Sequence, residues 1–310
     1  MRSKEPTIFK MMRAPFLSSI ISPLVAGTLL AFSITGSFNL LGFIFVLIVG
    51  VGLHIATNVY NDIYDTKQGT DKINVNRNEF SGGSGILQNH PHLMPKMYQL
   101  ARYGLIMALA ATIALTLVVE KSLWLYLWGL YLSSALFSKH YTAAPVKIAY
   151  RGWGEISVWF AFGPMAILIA AISQNVGLDP TIITAMPATG LSTLSILLLG
   201  QMIDLDADKA TGKLGVAGRL GTKATSYIYL IVQLILMLDI IALSLVLKHN
   251  GWLILICLIP YILILPRIWK IVHENHDHPK LLPKAAGMNV QLHLLFSILL
   301  SVGIGLYLIF

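Results

Sequence analysis

Charged residues and cysteine are scarce in this sequence. Only 12% of its 310 residues are Asp, Glu, Lys or Arg, whereas 56% are hydrophobic. A soluble domain carries about 25% charged residues, so the composition excludes a soluble globular protein. Cys257 is the only cysteine, which excludes an intrachain disulfide and a metal site built from cysteines.

Positive charge exceeds negative charge, and the net charge is +8. No basic run alternates with exposed aromatic residues in the way that binding of a single strand requires. We therefore interpret the excess of positive charge as a determinant of membrane orientation and a source of attraction for phosphate. We expect no nucleic-acid partner. Nothing in the sequence indicates an obligate protein partner.

Long apolar runs fill most of the chain. At roughly 20 apolar residues per crossing, they predict an all-α, polytopic membrane bundle with lipid around it. About nine spans are expected: 15–34, 38–60, 98–118, 122–139, 153–173, 181–203, 223–247, 251–272 and 285–308. The first run is too long for a signal peptide and is interrupted by Pro23, so we expect a retained span.

The basic residues are distributed unevenly between the two membrane faces. Of the 22 Lys and Arg residues, only Lys121 and Lys248 lie in the odd-numbered connections between spans. This positive-inside bias predicts a cytoplasmic N-terminus, with the long loops on the cytoplasmic side of the inner membrane.

The second span ends in an acidic stretch, HIATNVYNDIYDTKQGTD. Four of its polar residues step by four, four and three positions and would share one helix face: His54, Asn58, Asp62 and Asp65. Carboxylates at the end of a membrane segment are costly unless they are paired or bound. The alternative is a solvated loop in which the acids only cap a helix.

The sixth span ends in a second acidic stretch, QMIDLDADKATG. Gln201, Asp204 and Asp208 are expected to share a helix face there. The spacing of its acids resembles a calcium loop, but the sixth position is Lys209 instead of Gly and the twelfth is Gly215 instead of Glu. An EF-hand is therefore excluded.

Four antiparallel spans separate the two acidic stretches, which places both on the same membrane face. Mg²⁺ is usually held by one or two carboxylates together with substrate phosphates. Two facing acidic clusters therefore predict a clamp that holds Mg²⁺, as two or more ions, against a diphosphate. The apolar tail of that substrate would remain in lipid or between helices.

Two cytoplasmic loops, 61–97 and 139–152, are expected to cap the site. The first carries the cations Lys72 and Arg77 and the glycine turn Gly82–Gly85. Backbone amides of such a turn can form an anion nest, although a plain turn is an equal alternative. The second loop carries Lys147, and Lys209 follows the second acidic stretch, so cations lie beside carboxylates in both halves.

Three further polar residues are candidates for acceptor binding. Arg13 either anchors the first span at the interface or faces an anionic substrate. His54 is either a hydrogen-bonded interior histidine or a functional one. Glu155 lies just inside the fifth span, where an acid is costly.

The chain resembles the UbiA superfamily of intramembrane prenyltransferases over nearly its whole length. The resemblance is carried by NDIYDTKQGTD, RNEFSGGSG, YTAAPVKIAYRGWGE and DLDADKATGKLGVAGRLG. The Gly-Thr-Asp ending, the YT-x-x-P-x-K string and the G-x-G-E that follows are most similar to the 1,4-dihydroxy-2-naphthoate polyprenyltransferases of menaquinone synthesis.

This resemblance implies one domain over residues 1–310, with a central cavity capped on the cytoplasmic side. It implies these metal ligands: Asn58, Asp62, Asp65, Asp204 and Asp208. It also implies that Arg77, Lys147 and Tyr141 grip the diphosphate or stabilise an allylic cation. Many members have a third aspartate where this chain has Gly69, and Asp71 is the expected substitute at the diphosphate.

The expected reaction is the ionisation of a polyprenyl diphosphate, followed by attack from an aromatic acceptor. For 1,4-dihydroxy-2-naphthoate, loss of CO₂ and a proton would lead to demethylmenaquinone. Asp65, Asp208 or Glu155 could act as the base. The alternatives are another prenyl acceptor, a terpene cyclase and, from another class, an ion-coupled transporter.

Overall fold

A computed structural model describes residues 5–310 of the chain, and in this range it contains helices and loops and no β-strand. Nine long helices follow one another along the chain. They are α1 (Ser18–Thr35), α2 (Leu40–Gln68), α3 (Met94–Thr116), α4 (Trp124–His140), α5 (Gly154–Ile172), α6 (Pro180–Ile203), α7 (Val216–Leu247), α8 (His249–Glu274) and α9 (Pro283–Ile309).

Eight of these helices are long and apolar enough to cross a membrane. The remaining one, α4, corresponds to the fourth predicted span and has 17 residues, preceded by the 3₁₀ turn Lys121–Leu123. The predicted all-α membrane bundle is therefore confirmed.

Short helical segments occupy the tail and the connections. They are Ile8–Met11, Ala14–Leu17, Thr70–Ile73, Ile86–Asn89, Pro91–Leu93, Ile148–Arg151, Leu205–Ala210 and Pro279–Leu281. Most of them lie in the two predicted cap loops or beside the second acidic stretch, so these connections are built of short ordered turns.

Helix α2 is longer than the span predicted from hydropathy. The Asn39 side chain caps its first turn by accepting from the Gly42 amide, and Gly69 ends it with a φ of 86°. The first acidic stretch therefore lies on the last turns of a continuous helix, with Asp62 and Asp65 both buried.

Helix α6 ends earlier than its acidic stretch suggests. Asp204 has non-helical backbone angles, and Asp208 belongs to the separate helix Leu205–Ala210. The expectation that these acids share one helix face is therefore wrong, although the Asp208 amide still donates to the Asp204 carbonyl. The long helix therefore ends before Asp204, and Asp208 lies in the next helical segment.

Helix α5 packs closely against α6, the helix that ends at the second acidic stretch. Helix α5 contains a π-helical turn, Ala161–Met165, and crosses α6 at Gly163 and Gly190. A Cβ on Gly190 would collide with the backbone carbonyl of Trp159. The two helices can approach this closely only because both positions lack a side chain.

Candidate active site

Both acidic stretches line one cavity of about 220 Å³ at the end of α2 and α6. The lining includes Asn58 and acids from both stretches: Asp65, Asp71, Asp204 and Asp208. The predicted convergence of the two stretches is therefore what the structure has. Asp62 is buried next to this group, with one carboxylate oxygen that has no hydrogen-bond partner.

The glycine turn Gly82–Gly85 joins the two stretches. The Gly82 amide donates to Asp204 Oδ2 at 2.9 Å, and the Ser84 amide donates to Asp62 Oδ1 at 3.2 Å. A Cβ added to Gly83, whose φ is 72°, would lie 2.8 Å from Asp71 Oδ2. The amides of the turn therefore donate to two carboxylates of the protein, and Gly83 packs tightly against the carboxylate of Asp71.

Lys213 connects the two stretches with a charge. Its Nζ lies 2.9 Å from Asp65 Oδ2 and 3.9 Å from Asp208 Oδ1. Burial lowers the pKa of Lys213, but the two carboxylates outweigh this effect and raise it above its ordinary value. The ammonium group is therefore charged. The sequence shows Lys213 as a cation after the second stretch but does not single it out for the site.

A chain of hydroxyl groups ties the caps to the site. Tyr150 donates to Asp65 Oδ1 at 2.8 Å, and its oxygen lies 2.8 Å from the Thr70 hydroxyl. Thr70 in turn lies 2.9 Å from the Thr211 hydroxyl. The sequence marks Tyr150 as an aromatic residue suited to an interface or to facing a cation, but it does not assign Thr70 or Thr211. Only the folded chain brings their loops together.

Crowding of the acids shifts their titration. Burial, together with the carboxylates of Asp65 and Asp62, raises the pKa of Asp71 to about 7. Burial also raises the pKa of Asp208 to about 7, although Lys213 opposes the shift. Burial raises the pKa of Asp204 despite a hydrogen bond from Asn74 at 2.8 Å. These three buried carboxyl groups are therefore protonated more readily than exposed ones.

Arg13, His54 and Tyr141 all line the cavity, as expected of residues that meet a substrate. Arg13 lies 3.7 Å from Asp62 Oδ1, and its guanidinium group lies 4.8 Å from the centre of the Phe16 ring. The His54 ring meets the edge of Phe162 at 5.0 Å, and its Nδ1 is buried without a hydrogen-bond partner.

The structure places five other predicted residues away from this lining. Lys72 and Lys209 are exposed. The Lys147 ammonium lies 5.4 Å from the centre of the Tyr150 ring. Arg77 donates to the Gly82 carbonyl at 2.7 Å and to the Asp71 carbonyl, so it braces the cap loop itself.

Glu155 is the fifth of these residues. It accepts from Gln201 Nε2 at 2.8 Å and from the Val216 amide, and Arg219 lies 3.6 Å away. These contacts hold α5 to the end of α6 and the start of α7. Contact of Glu155 with an acceptor remains a prediction.

A second cavity, of about 110 Å³, adjoins the first. It lies among α1, α2, α4 and α5, and its walls are mostly apolar. The two cavities share five residues: His54, Thr57, Tyr141, Val158 and Phe162. An acidic chamber therefore adjoins an apolar one between the helices.

A family model described as the UbiA prenyltransferase family matches residues 20–295. The chain belongs to this family. It is an enzyme that transfers prenyl groups, as the motifs predict, and a multi-pass membrane protein. Nothing in these comparisons supports the transporter alternative.

Two relatives act on naphthalene-derived acceptors by name. The 1,4-dihydroxy-2-naphthoate octaprenyltransferase of Mycobacterium tuberculosis is 30% identical over 69% of this chain and 69% of its own length. The 2-carboxy-1,4-naphthoquinone phytyltransferase of Synechocystis sp. is 24% identical over 94% of this chain and 91% of its own.

Among solved structures, the chain is similar in fold to a UbiA homologue from Archaeoglobus fulgidus bound to DMAPP and Mg²⁺. The match has a TM-score of 0.57 and 16% identity, and it covers 95% of this chain and 99% of the other. The fold of the family is therefore preserved over the whole bundle.

Proposed function

We propose that this protein transfers a polyprenyl group from polyprenyl diphosphate to 1,4-dihydroxy-2-naphthoate, with loss of CO₂ and dependence on Mg²⁺. The observation that carries the proposal is the junction of the two cavities. An acidic chamber suited to a metal-bound diphosphate adjoins an apolar chamber suited to an isoprenoid chain. The named activities of the relatives support the naphthoate acceptor.

The acidic chamber suits a divalent cation whose coordination shell is completed by a substrate. The described residues contain no cluster of three His, Cys, Asp or Glu side chains that could hold a metal alone. Mg²⁺, however, needs only one or two carboxylates when phosphate oxygens supply other ligands. The free oxygen of buried Asp62 is one available ligand. The other candidates are Asn58, Asp65, Asp204 and Asp208, and Mg²⁺ would supply charge neutralisation for the departing diphosphate.

The protein's own cations meet the diphosphate from two sides. Arg13 and Lys213 line the acidic chamber, on the α1 side and the α7 side respectively. Charge-assisted hydrogen bonds from both would hold the diphosphate as the bond between its oxygen and the allylic carbon breaks. The loops that carry Asp71 and Tyr150 would exclude water from the charge that develops.

The aromatic residues at the junction suit the allylic cation. Tyr141 and Phe162 belong to both cavities, so they lie between the diphosphate and the isoprenoid chain. Their ring faces can stabilise positive charge where water is excluded. Burial raises the pKa of Tyr141, so its hydroxyl stays protonated near neutral pH.

The acceptor would approach this carbon from the same junction. Its hydroxyl proton can pass to Asp65 or Asp208, and the pKa of about 7 suits Asp208 to accept a proton near neutral pH. The ring carbon that carries the carboxylate then bonds to the allylic carbon. The carboxylate leaves as CO₂, its bonding electrons restore the aromatic ring, and the acceptor oxygen regains the proton from the aspartate. His54, which lines both cavities, would position the acceptor's polar groups.

The test uses the purified protein in nanodiscs with a labelled polyprenyl diphosphate and Mg²⁺. Parallel reactions receive 1,4-dihydroxy-2-naphthoate, 2-carboxy-1,4-naphthoquinone, a simple phenol or no acceptor, and the products are analysed by mass spectrometry. We expect a decarboxylated, prenylated naphthalene only with the first compound. A cyclised hydrocarbon without acceptor, or preference for another acceptor, would assign the site to one of the alternative reactions.

A further inference from the structure

Lys213 occupies the position between the two acidic stretches. Its ammonium lies 2.9 Å from Asp65 Oδ2, and Tyr150 donates to the other oxygen of Asp65 at 2.8 Å. Both oxygens of this carboxylate therefore already have donors from the protein. A divalent cation at Asp65 would lie close to a charged ammonium and be repelled by it.

The backbone around Lys213 leaves its side chain free to move. Lys213 lies between the helix Leu205–Ala210 and the start of α7, in a turn where Gly212 has a φ of 75°. The Lys213 amide is held by the Asp208 carbonyl at 2.8 Å, so the backbone is anchored while the flexible four-carbon side chain is not. About a fifth of that side chain is exposed.

The Lys213 ammonium is held only weakly on the side that faces Asp208. Its distance to Asp208 Oδ1 is 3.9 Å, which is an ion pair without hydrogen-bond geometry. The Tyr150 ring lies 5.8 Å away. A diphosphate in the same cavity would offer several charged oxygens, which are better partners for an ammonium than one distant carboxylate.

We propose that Lys213 makes metal binding depend on the diphosphate. Without substrate, its ammonium holds Asp65 and Asp208 together and opposes the entry of a divalent cation. When a diphosphate arrives, the ammonium moves to its oxygens and releases both carboxylates for the cation. The inference rests on the proposed function, because it assumes that a diphosphate binds in this cavity.

A fixed structural ion pair makes a different prediction. If Lys213 only joins the turn before α7 to α2, its removal would lower stability and would not tighten metal binding. Lys213→Gln removes the charge and keeps much of the side chain, whereas Lys213→Arg keeps the charge. The matched control is Lys223→Gln, because Lys223 is exposed on α7 and lies outside the cavity lining.

The experiment measures binding of Mn²⁺ alone to the full-length protein in nanodiscs by electron paramagnetic resonance. We expect Lys213→Gln to bind Mn²⁺ roughly tenfold or more tightly than the wild type, because one nearby positive charge is lost. Lys213→Arg and Lys223→Gln should bind like the wild type. Equal or weaker binding by a folded Lys213→Gln protein, checked by thermal melting, would overturn the proposal.

A second measurement needs no variant. Wild-type protein is titrated with Mn²⁺ at fixed inorganic pyrophosphate, with empty nanodiscs to correct for Mn²⁺ complexed by pyrophosphate in solution. We expect pyrophosphate to tighten Mn²⁺ binding at least tenfold, and an unchanged affinity would also overturn the proposal. No Mn²⁺ binding even with pyrophosphate would instead contradict the proposed function, so the two failures are distinguishable.

Discussion

Asp62 and Asp204 are held by amides only two residues apart on one loop. The Ser84 amide donates to Asp62, and the Gly82 amide donates to Asp204. The two acids come from different halves of the chain, and the hydrogen bonds from this loop set the distance between them. A substrate that bridges both would also lie against this loop.

Both acids should be required for the reaction. We expect Asp62→Ala and Asp204→Ala each to lower Mg²⁺-dependent diphosphate release roughly a hundredfold or more, because each removes a ligand or its support at the developing charge. The measurement is release of labelled pyrophosphate from polyprenyl diphosphate in nanodiscs. Asp206→Ala is the matched control, since Asp206 is exposed in the same stretch. Wild-type turnover in both variants would refute the clamp.

The glycine turn should not tolerate a side chain at residue 83. In Gly83→Ala, the new Cβ would meet the Asp71 carboxylate, and the φ of 72° would be strained by roughly 1–2 kcal/mol. We expect loss of prenyl transfer with a modest fall in melting temperature. Gly129→Ala is the control, because a Cβ there meets open space. Full activity of Gly83→Ala would show that the turn can move away from Asp71.

Metal affinity should rise with pH. Burial raises the pKa of Asp208 to about 7, and a protonated carboxyl group cannot bind a metal ion. Raising the pH from about 6 to about 8 should therefore tighten Mn²⁺ binding in the presence of pyrophosphate roughly tenfold through this group. The same titration on Asp208→Asn should show a smaller dependence. An identical pH profile in the variant would remove Asp208 as the cause.

The apolar cavity should determine which isoprenoid chains are accepted. Ala166 is buried in its wall, and Ala166→Phe would fill part of a space of about 110 Å³. We expect kcat/KM for a long polyprenyl diphosphate to fall at least roughly tenfold relative to a five-carbon donor, since lost space costs a few kcal/mol of fit. Leu238→Phe, on the exposed face of α7, is the control. Equal losses for both donors would show that the isoprenoid chain binds outside this cavity.

Several features could be read from the sequence because they are local. Hydropathy and length mark the spans, and the spacing of Asn58, Asp62 and Asp65 places them on one helix face. The motifs in their order identify the family, which the match over residues 20–295 confirms. These signals can be recognised in the sequence alone because each depends on residues only a few positions apart.

The members of the site that sequence reasoning missed are not local. Lys213 lies 148 residues from Asp65, and Tyr150 lies 85 residues from it. The exposed positions of Lys72 and Lys209 show the converse, because a cation beside an acidic stretch in the sequence can still point to solvent. Which cation enters the cavity depends on helix ends that meet only when the bundle is packed.

The sequence by itself therefore determined that this is a membrane-embedded prenyltransferase with two acidic helix ends. Only the tertiary structure decided that one loop spans both acids and that Lys213 balances them. The physical reason is the separation along the chain of the residues that interact. Helix formation and membrane insertion depend on near neighbours, whereas the balance of buried charge depends on every group that packing brings within a few ångströms.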